Sequence, residues 1–477
     1  MPERGGWLPA ALLAVGAITL LRIVALWFNR TDLFVDESQY WLWGQNPDFG
    51  YYSKPPLIGW VIRAATELGG SDAPFWVRLP GALFHGMTAL ILGALGARLM
   101  GARAAVWVAV GYATLPFVAL GSLLISTDTI MAPFYAAALL AWFRAVDSGR
   151  AGQAALTGFF IGLAFLAKYA AVYFVIGTAL AAVFVPTARL SLRQTIAMLA
   201  AFAVTVSPNI IWNLTHDLTT VEHTMDNVGW VRGGAGFGGL RFGSLVGFFL
   251  SQFAVAGPVV FAALIWGWVR QRGPKAGALT ALSLPVLVIV SVQALLSQAY
   301  ANWAVATYFA GLLIAVAVLS GRGRWLLWLS LAINGAVCVL LPLLTILAPW
   351  PALGDRPLLS RYLGQAALSA KIIEAAGAEG LTTVVATDRA VLADLFYTGR
   401  DSGLSIRTPA PKGRPLNYYE QMYPLTEEVP VLFVSDVAPV CDGVQVPPLR
   451  GFETAGGTYA RRTIAGYRVA GGCLNAD

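Results

Sequence analysis

The chain has 477 residues, of which 57% are hydrophobic and only 12% are charged. A charged share so far below that of ordinary soluble proteins excludes a soluble globular enzyme and indicates a polytopic membrane protein. The net charge of +7 does not indicate nucleic acid as a partner. The basic residues stand in short pairs between apolar segments, as they do in cytoplasmic loops.

Apolar segments long enough to cross, or nearly cross, a bilayer recur along the chain. The first is longer than the apolar region of a secretory signal and lacks a convincing cleavage site, so we expect an uncleaved helix. We expect about eleven spans, at residues 7–28, 77–99, 103–121, 129–145, 152–167, 169–186, 194–212, 245–269, 277–297, 303–320 and 325–348.

The basic residues set the orientation of these spans. With the N-terminus inside, the inner turns carry basic residues such as Arg98, Arg103 and Lys275, whereas the short outer turns near 122–128 and 298–302 carry none. The loops at 29–76 and 213–244 then face outward. An odd number of spans places the C-terminal tail outside as well.

The outer loop after the first span contains an acidic pair. Residues 35–45 read VDESQYWLWGQ, with Asp36 and Glu37 adjacent and pointing in different directions, so they need not share a role. A carboxylate here can act as a general base toward an attacking hydroxyl. Alternatively, Asp36 caps the short helix predicted by ESQYWLWGQ.

The same loop continues as YYSKPP, with Lys54 in front of two prolines. The prolines favour an extended start followed by a helix over LIGWVIRAATEL, which would hold the lysine at a rigid junction. Tyr51 and Tyr52 stand beside it, and their rings suit a lipid interface or the face of a sugar. A compact ammonium group suits a phosphate. The alternative is a lysine that snorkels above an aromatic belt.

Three further charged residues fall within or close to the apolar segments. Asp128 lies at the outer mouth before the fourth span, where an ionisable group is often functional, although the sequence STD also suits a helix cap. Lys168 lies in a short outer hairpin, where its amine either faces a pocket or snorkels. Arg22, inside the first span, is expected to pair with Asp36 or Asp32 as a structural ion pair, or to orient the catalytic carboxylate.

The second long outer loop contains two of the three histidines. His216 and His223 are seven residues apart and would share one face of a continuous helix. Such a pair is compatible with a divalent metal, although it matches no specific ligand spacing. The glycine-rich end of this loop is interpreted as a flexible flap. His85, inside the second span, is expected to be a packing histidine.

The composition changes from about Pro349. Strand-like runs at 382–387 and 430–435 alternate with a helical stretch near 360–378. We therefore predict a membrane domain over residues 1–348 and a small α/β domain over 349–477. Cys441 and Cys473 in this tail either form a disulfide or remain thiols.

Several of these motifs, taken in order, resemble those of a known superfamily over about residues 15–320. The acidic pair, YYSKPP, RLP at Arg78–Pro80, STD and LAKY are similar to motifs of the protein O-mannosyltransferase and aminoarabinose transferase superfamily of membrane glycosyltransferases. The segments NIIWNLTHD and ANWAVATYFAG resemble its bacterial members. The resemblance implies an all-α polytopic membrane protein with the glycosyltransferase-C fold and a small C-terminal α/β extracytoplasmic domain. It also implies a bacterial inner-membrane enzyme whose active site faces the periplasm.

The resemblance further implies roles for individual residues. Asp36 matches the catalytic acid, expected to deprotonate the acceptor hydroxyl so that it attacks the anomeric carbon with inversion and expels lipid phosphate. Asp128 matches the second outer-loop acid, and Lys54 the lysine that binds the donor phosphate. On this basis the predicted site comprises the acids Asp36, Asp128 and Glu37, the phosphate-binding Lys54 and Lys168, and the substrate-binding Tyr51, Tyr52 and Arg78.

The expected partners are a polyprenyl-phosphate sugar donor, membrane lipid, and an extracytoplasmic acceptor, which is lipid A, a polysaccharide or a protein. Ser53 stands where aminoarabinose transferases have a glutamate that can help to hold a metal. We therefore expect no strict metal requirement, with a divalent metal at His216 or His223 as the alternative. A flippase for lipid-linked sugars and a non-catalytic scaffold are the alternative functions. A transporter would place its polar groups near the midplane, and a scaffold would tolerate Asp36→Asn.

Overall fold

The computed structural model describes residues 6–227, 239–453 and 456–475. The chain divides into two compact units. The first, called here the helical unit, comprises Met1–Trp27, Lys54–Val61 and Arg78–Pro342. The second, called here the mixed unit, comprises Phe28–Ser53, Ile62–Val77 and Leu343–Asp477.

In the described ranges up to residue 347, all regular structure is helical. Its α-helices are α1 Trp7–Trp27, α2 Val35–Gln45, α3 Leu57–Gly69, α4 Pro74–Met100, α5 Ala102–Ala113, α6 Pro116–Gly121, α7 Thr127–Ser148, α8 Ala151–Ala167, α9 Val172–Phe184, α10 Leu192–Thr215, α11 Thr219–Asn227, α12 Phe242–Ala256, α13 Pro258–Arg270, α14 Pro274–Ala281, α15 Leu284–Leu296, α16 Ala306–Arg322 and α17 Arg324–Leu347. The helices that the sequence predicts over ESQYWLWGQ and LIGWVIRAATEL are α2 and α3.

Six helical segments of the described chain are long and apolar enough to cross a membrane, and α12 with α13 adds a seventh if the bent pair is one span. Four shorter apolar helices coincide with the remaining predicted segments, at Ala102–Ala113, Ala151–Ala167, Tyr169–Phe184 and Ala306–Arg322. The prediction of an all-α polytopic membrane protein is confirmed. The number of eleven spans stays a prediction.

The predicted span at 245–269 is not one straight helix. Helices α12 and α13 meet at Gly257 with an angle of 113° between them. Gly257 has a φ of 87°, and a Cβ there would lie 1.9 Å from Oδ1 of Asn334. Both the backbone conformation and the close neighbour therefore require glycine. Pro258 follows at the first position of α13, where no backbone donor is needed.

Helix α8 packs closely against α10 through two glycines four residues apart. A Cβ on Gly158 would lie 1.9 Å from the carbonyl oxygen of Met198, and one on Gly162 would lie 2.6 Å from Cβ of Thr205. Small residues at this spacing let the backbones of membrane helices approach each other.

The mixed unit contains a five-stranded sheet. In order across the sheet, its strands are β4 Ser405–Arg407, β3 Thr383–Ala386, β5 Pro430–Ser435, β9 Ile464–Ala470 and β8 Arg450–Phe452. Strands β4, β3 and β5 are parallel, and β9 and β8 continue the sheet antiparallel. Short hairpins add β1 Ala352–Leu353 with β2 Arg356–Pro357, and β6 Val440–Cys441 with β7 Val444–Gln445. The α-helices of this region are α18 Gln365–Ala378, α19 Arg389–Thr398, α20 Tyr418–Met422 and α21 Gly471–Asn475. The predicted small α/β region is confirmed.

Two features of the mixed unit add to the sequence-based predictions. The predicted domain division assigns the whole loop 29–76 to the membrane domain, whereas Phe28–Ser53 and Ile62–Val77 belong to the mixed unit. Helix α2 from this loop packs against α19. Cys441 and Cys473, for which the sequence left two alternatives, form a disulfide with a Cα–Cα distance of 5.4 Å.

Candidate active site

The acidic pair occupies the first turn of α2. Phe34 is the N-cap residue, and Oε2 of Glu37 accepts a hydrogen bond of 2.9 Å from its backbone N–H. The alternative in which Asp36 caps the helix is therefore wrong, because Asp36 lies inside the first turn. Both carboxylates there interact favourably with the helix dipole. Glu37 is 1% exposed and serves the helix start, and its catalytic role stays a prediction.

Asp36 has an arginine partner in the mixed unit. Nη2 of Arg389, the first residue of α19, lies 2.5 Å from Oδ1 of Asp36, and Nε of the same arginine donates to Oε1 of Gln39 at 3.0 Å. Burial lowers the pKa of the Arg389 guanidinium, but the Asp36 carboxylate, together with the nearby Tyr419 and Tyr40, raises that pKa above its usual value. Both side chains of the ion pair keep about two fifths of their surface exposed.

The sequence reasoning missed Arg389. The sequence feature that could have indicated it is the dipeptide after the predicted strand at 382–387. Asp388 suits a helix N-cap, and Arg389 would then be the first helical residue. The carboxyl ends of parallel strands are common positions for functional side chains. No local pattern relates Arg389 to Asp36, however, because the two residues are 353 positions apart.

The predicted residues Asp128 and Lys168 meet inside the helical unit. Nζ of Lys168 lies 2.6 and 2.7 Å from the two carboxylate oxygens of Asp128, and Nδ2 of Asn302 donates to Oδ2 at 3.0 Å. The two charged side chains are only 16% and 13% exposed. Ser126 caps α7, so the helix cap that the sequence STD suggests is present beside this ion pair. A snorkelling Lys168 does not describe the arrangement, because the amine is held by Asp128.

Lys54 and the two tyrosines before it lie in different units. Lys54 is half-buried just ahead of α3, at the junction that the sequence predicts. Tyr51 stacks on Trp43 with ring centroids 4.7 Å apart and donates its hydroxyl to the Trp43 carbonyl at 2.8 Å. The Tyr52 hydroxyl donates to the Pro415 carbonyl at 2.9 Å. Both tyrosines are almost fully buried in the mixed unit, and their contact with a sugar stays a prediction.

The two arginines of the first spans are both buried. Arg78 lies in the first turns of α4, and its substrate-binding role stays a prediction. Nη2 of Arg22 donates to the Ala113 carbonyl at 2.5 Å and to Sγ of Cys338 at 3.5 Å. Arg22 has no carboxylate partner among the described residues. The predicted ion pair with Asp36 or Asp32 is therefore wrong.

The two loop histidines do not share a helix. His216 ends α10, and Asp217 and Leu218 then adopt φ values of 52° and 53° before α11 begins. His216 stacks on Trp212 with a centroid distance of 4.2 Å. The described ranges contain no group of three or more His, Cys, Asp or Glu residues that could hold a metal. The metal role of His216 and His223 stays a prediction. The predicted flap, at the glycine-rich end of this loop, falls largely on residues 228–238, which lie outside the described residues.

His85 is buried in α4 and has hydrogen-bonding partners on both sides of its ring. Nδ1 lies 3.1 Å from the Tyr112 hydroxyl, and Nε2 lies 3.2 Å from Oγ1 of Thr129. This environment is that of a packing histidine, as the sequence predicts.

The chain is similar in sequence to known glycosyltransferases. Residues 53–212 match the family model of dolichyl-phosphate-mannose-protein mannosyltransferases. Over 473 residues the chain is 43% identical to the lipid A galacturonosyltransferase RgtD of Rhizobium johnstonii, covering 98% of this chain and 99% of that protein.

Among solved structures, the fold is similar to that of ArnT from Cupriavidus metallidurans. The apo structure aligns with a TM-score of 0.64 at 14% identity, over 98% of both chains. The structure bound to undecaprenyl phosphate aligns with the same TM-score at 16% identity, over 98% of this chain and 99% of that one. The glycosyltransferase-C fold expected from the sequence is confirmed.

Proposed function

The chain belongs to the family of ArnT-like membrane glycosyltransferases that includes RgtD, and from this membership we propose that it transfers galacturonic acid from a polyprenyl-phosphate donor to lipid A. The observation that carries the proposal is the full-length similarity to RgtD, whose name states both the sugar and the acceptor. The ArnT structure with undecaprenyl phosphate supports a polyprenyl-phosphate donor. The chain is therefore a glycosyltransferase rather than a transporter or a scaffold.

We assign the chemical step to residues of the first outer loop. Asp36 accepts the proton of the acceptor hydroxyl, whose oxygen then forms a bond to the anomeric carbon. The bond between that carbon and the phosphate oxygen breaks, its electron pair leaves with the lipid phosphate, and the configuration at the carbon inverts. Lys54 stabilises the charge on the departing phosphate. Lys54 is the first residue to test for phosphate binding, because it matches the phosphate-binding lysine of the lysine-proline-proline motif.

We place the reaction on the periplasmic face of the bacterial inner membrane. The positive-inside rule directs the loop that carries Asp36 outward. The Cys441–Cys473 disulfide supports the same side for the tail, since disulfides persist in oxidising compartments such as the periplasm.

The test is a transfer assay with purified protein, lipid A, and polyprenyl phosphates that carry galacturonic acid, aminoarabinose or mannose. We expect a lipid A product that contains galacturonic acid, detected by mass spectrometry. Asp36→Asn should lower kcat about 100-fold or more, because general base catalysis contributes at least that factor. Lys54→Ala should slow the release of lipid phosphate.

Two matched controls accompany these variants. Asp48→Asn changes an exposed acid of the same loop, and Lys275→Ala changes an exposed lysine of a predicted inner turn. Transfer of only another sugar would contradict the proposed donor, and full activity of Asp36→Asn would refute the assignment of the base. Turnover that persists in a chelator would show that no dissociable metal is required.

A further inference from the structure

The start of α19 is held firmly by charged side chains of the mixed unit. Oδ1 of Asp388, the N-cap residue, accepts hydrogen bonds from the backbone N–H groups of Ala390 at 2.6 Å and Val391 at 3.2 Å. Its Oδ2 accepts from Nη1 of Arg462 at 2.5 Å, and Nη2 of Arg462 donates to Asp436 at 3.0 Å. The backbone of the next residue, Arg389, is therefore fixed.

The guanidinium of Arg389 is then held at two points on one face of α2. Its Nη2 contacts Oδ1 of Asp36 at 2.5 Å, and its Nε contacts Oε1 of Gln39 at 3.0 Å. Residues three positions apart lie on the same face of a helix, so the rigid fork of an arginine can span them. Gln39 is 1% exposed and cannot move aside easily.

This arrangement uses only one oxygen of Asp36. Within the described residues, Oδ2 of Asp36 accepts no hydrogen bond, and the side chain is 44% exposed. Arg389 therefore binds Oδ1 of Asp36, and Oδ2 stays accessible to an approaching hydroxyl. An ion pair with this exposure contributes little to stability. Its effect on the orientation of the carboxylate is the larger consequence.

We propose that Arg389, from the C-terminal part of the mixed unit, is a positioning residue for Asp36. It holds Oδ1 of the carboxylate and so presents Oδ2 to the acceptor hydroxyl. This inference rests on the proposed function, because it takes Asp36 as the base of the transfer reaction.

The test compares Arg389→Gln and Arg389→Lys with the control Arg450→Gln in the full-length protein. Arg450 is an arginine of the same unit that forms an exposed ion pair of 3.4 Å with Glu374. We expect Arg389→Gln to lower kcat about 10- to 100-fold, because a misplaced catalytic group loses about that factor, with KM and the melting temperature nearly unchanged. Arg389→Lys should recover part of kcat, since a lysine restores the charge but not the two-point contact. The control should match the wild type.

A second measurement tests the contact between Arg389 and Asp36 and does not depend on enzyme turnover. Labelling with a water-soluble carbodiimide and an amine, followed by peptide mass spectrometry, reports how readily the Asp36 carboxyl reacts. We expect faster labelling of Asp36 in Arg389→Gln and no change in Arg450→Gln. If the wild type transfers no sugar, the proposed function fails, while faster labelling still supports the hold of Arg389 on Asp36. Wild-type kcat in Arg389→Gln, or unchanged labelling, would overturn the inference.

Discussion

At the scale of single residues, the ion pair of Asp128 and Lys168 is almost withdrawn from solvent, so its members depend on each other. We expect Lys168→Met to lower the free energy of unfolding by about 3 kcal/mol, because it leaves a nearly buried carboxylate without its cation. The double variant Asp128→Asn/Lys168→Met should regain most of this loss. Thermal unfolding in detergent measures both, with Lys275→Met as the control. A double variant as unstable as Lys168→Met would contradict the coupling.

A second residue-scale prediction concerns Asp394 in α19, which is 2% exposed. Burial raises the pKa of its carboxyl from 3.8 to about 6, although the hydroxyls of Ser369 and Thr398 act to lower it. The folded state therefore binds this proton more tightly than the unfolded state. The stabilising contribution is complete below about pH 4 and is lost as the pH rises through about 6.

Asp394→Asn removes this ionisation. Near pH 8 we expect it to raise the free energy of unfolding by about 2–3 kcal/mol, while near pH 4 it should resemble the wild type. Thermal unfolding of the full chain across this range measures the difference. An equal effect of the substitution at both pH values would show that Asp394 does not titrate on unfolding.

The residue scale also shows what sequence reasoning can reach. The residues after Asp36 predict a short helix, although Asp36 lies within its first turn rather than before it. The two prolines after Lys54 predict a junction there. The ion pair of Asp36 with Arg389 lies beyond such patterns, since it depends on how the chain returns after more than three hundred residues. The expected partner of Arg22 was wrong for a related reason. A buried arginine can donate to a backbone carbonyl, here that of Ala113. No pattern of side chains in the sequence indicates such an acceptor.

At the scale of elements, the close packing of α8 on α10 gives a direct test. We expect Gly158→Ala to lower the free energy of unfolding by about 2 kcal/mol, because the added methyl group would meet the backbone of Met198. Gly152→Ala in the same helix is the control, since nothing lies within 4 Å of a Cβ there. Thermal unfolding in detergent compares the two. Equal stability of both variants would contradict the close approach.

Hydropathy locates the helices well, but it does not reveal how they turn. The bend at Gly257 separates two apolar helices that the sequence pattern predicts as one span. The turn at Asp217 and Leu218 separates two histidines whose spacing suits one helix. In both places the chain adopts positive φ values that depend on surrounding space rather than on residue pattern.

At the scale of the whole molecule, the Cys441–Cys473 disulfide links the β6–β7 hairpin to α21 across 32 residues. We expect Cys473→Ser to lower the free energy of unfolding of the tail by about 3–4 kcal/mol, as loop closure on this scale predicts. Maleimide labelling of the denatured protein, with and without reductant, measures the state of the pair. Cys338 is a buried free thiol and serves as the internal reference. Labelling of all three cysteines without reductant would contradict the disulfide.

The mixed unit also has a consequence for the order of synthesis. Its helix α2 is translated early, yet Trp41 packs edge-on against Tyr397 at 5.1 Å, and Asp36 meets an arginine 353 residues downstream. At ordinary rates of translation, on the order of tens of seconds separate these partners. During that interval Trp41 and Asp36 lack these later partners. The segment that carries Arg389 therefore completes the surroundings of Asp36 long after α2 has been made, and we expect sugar transfer to begin only once this segment has folded.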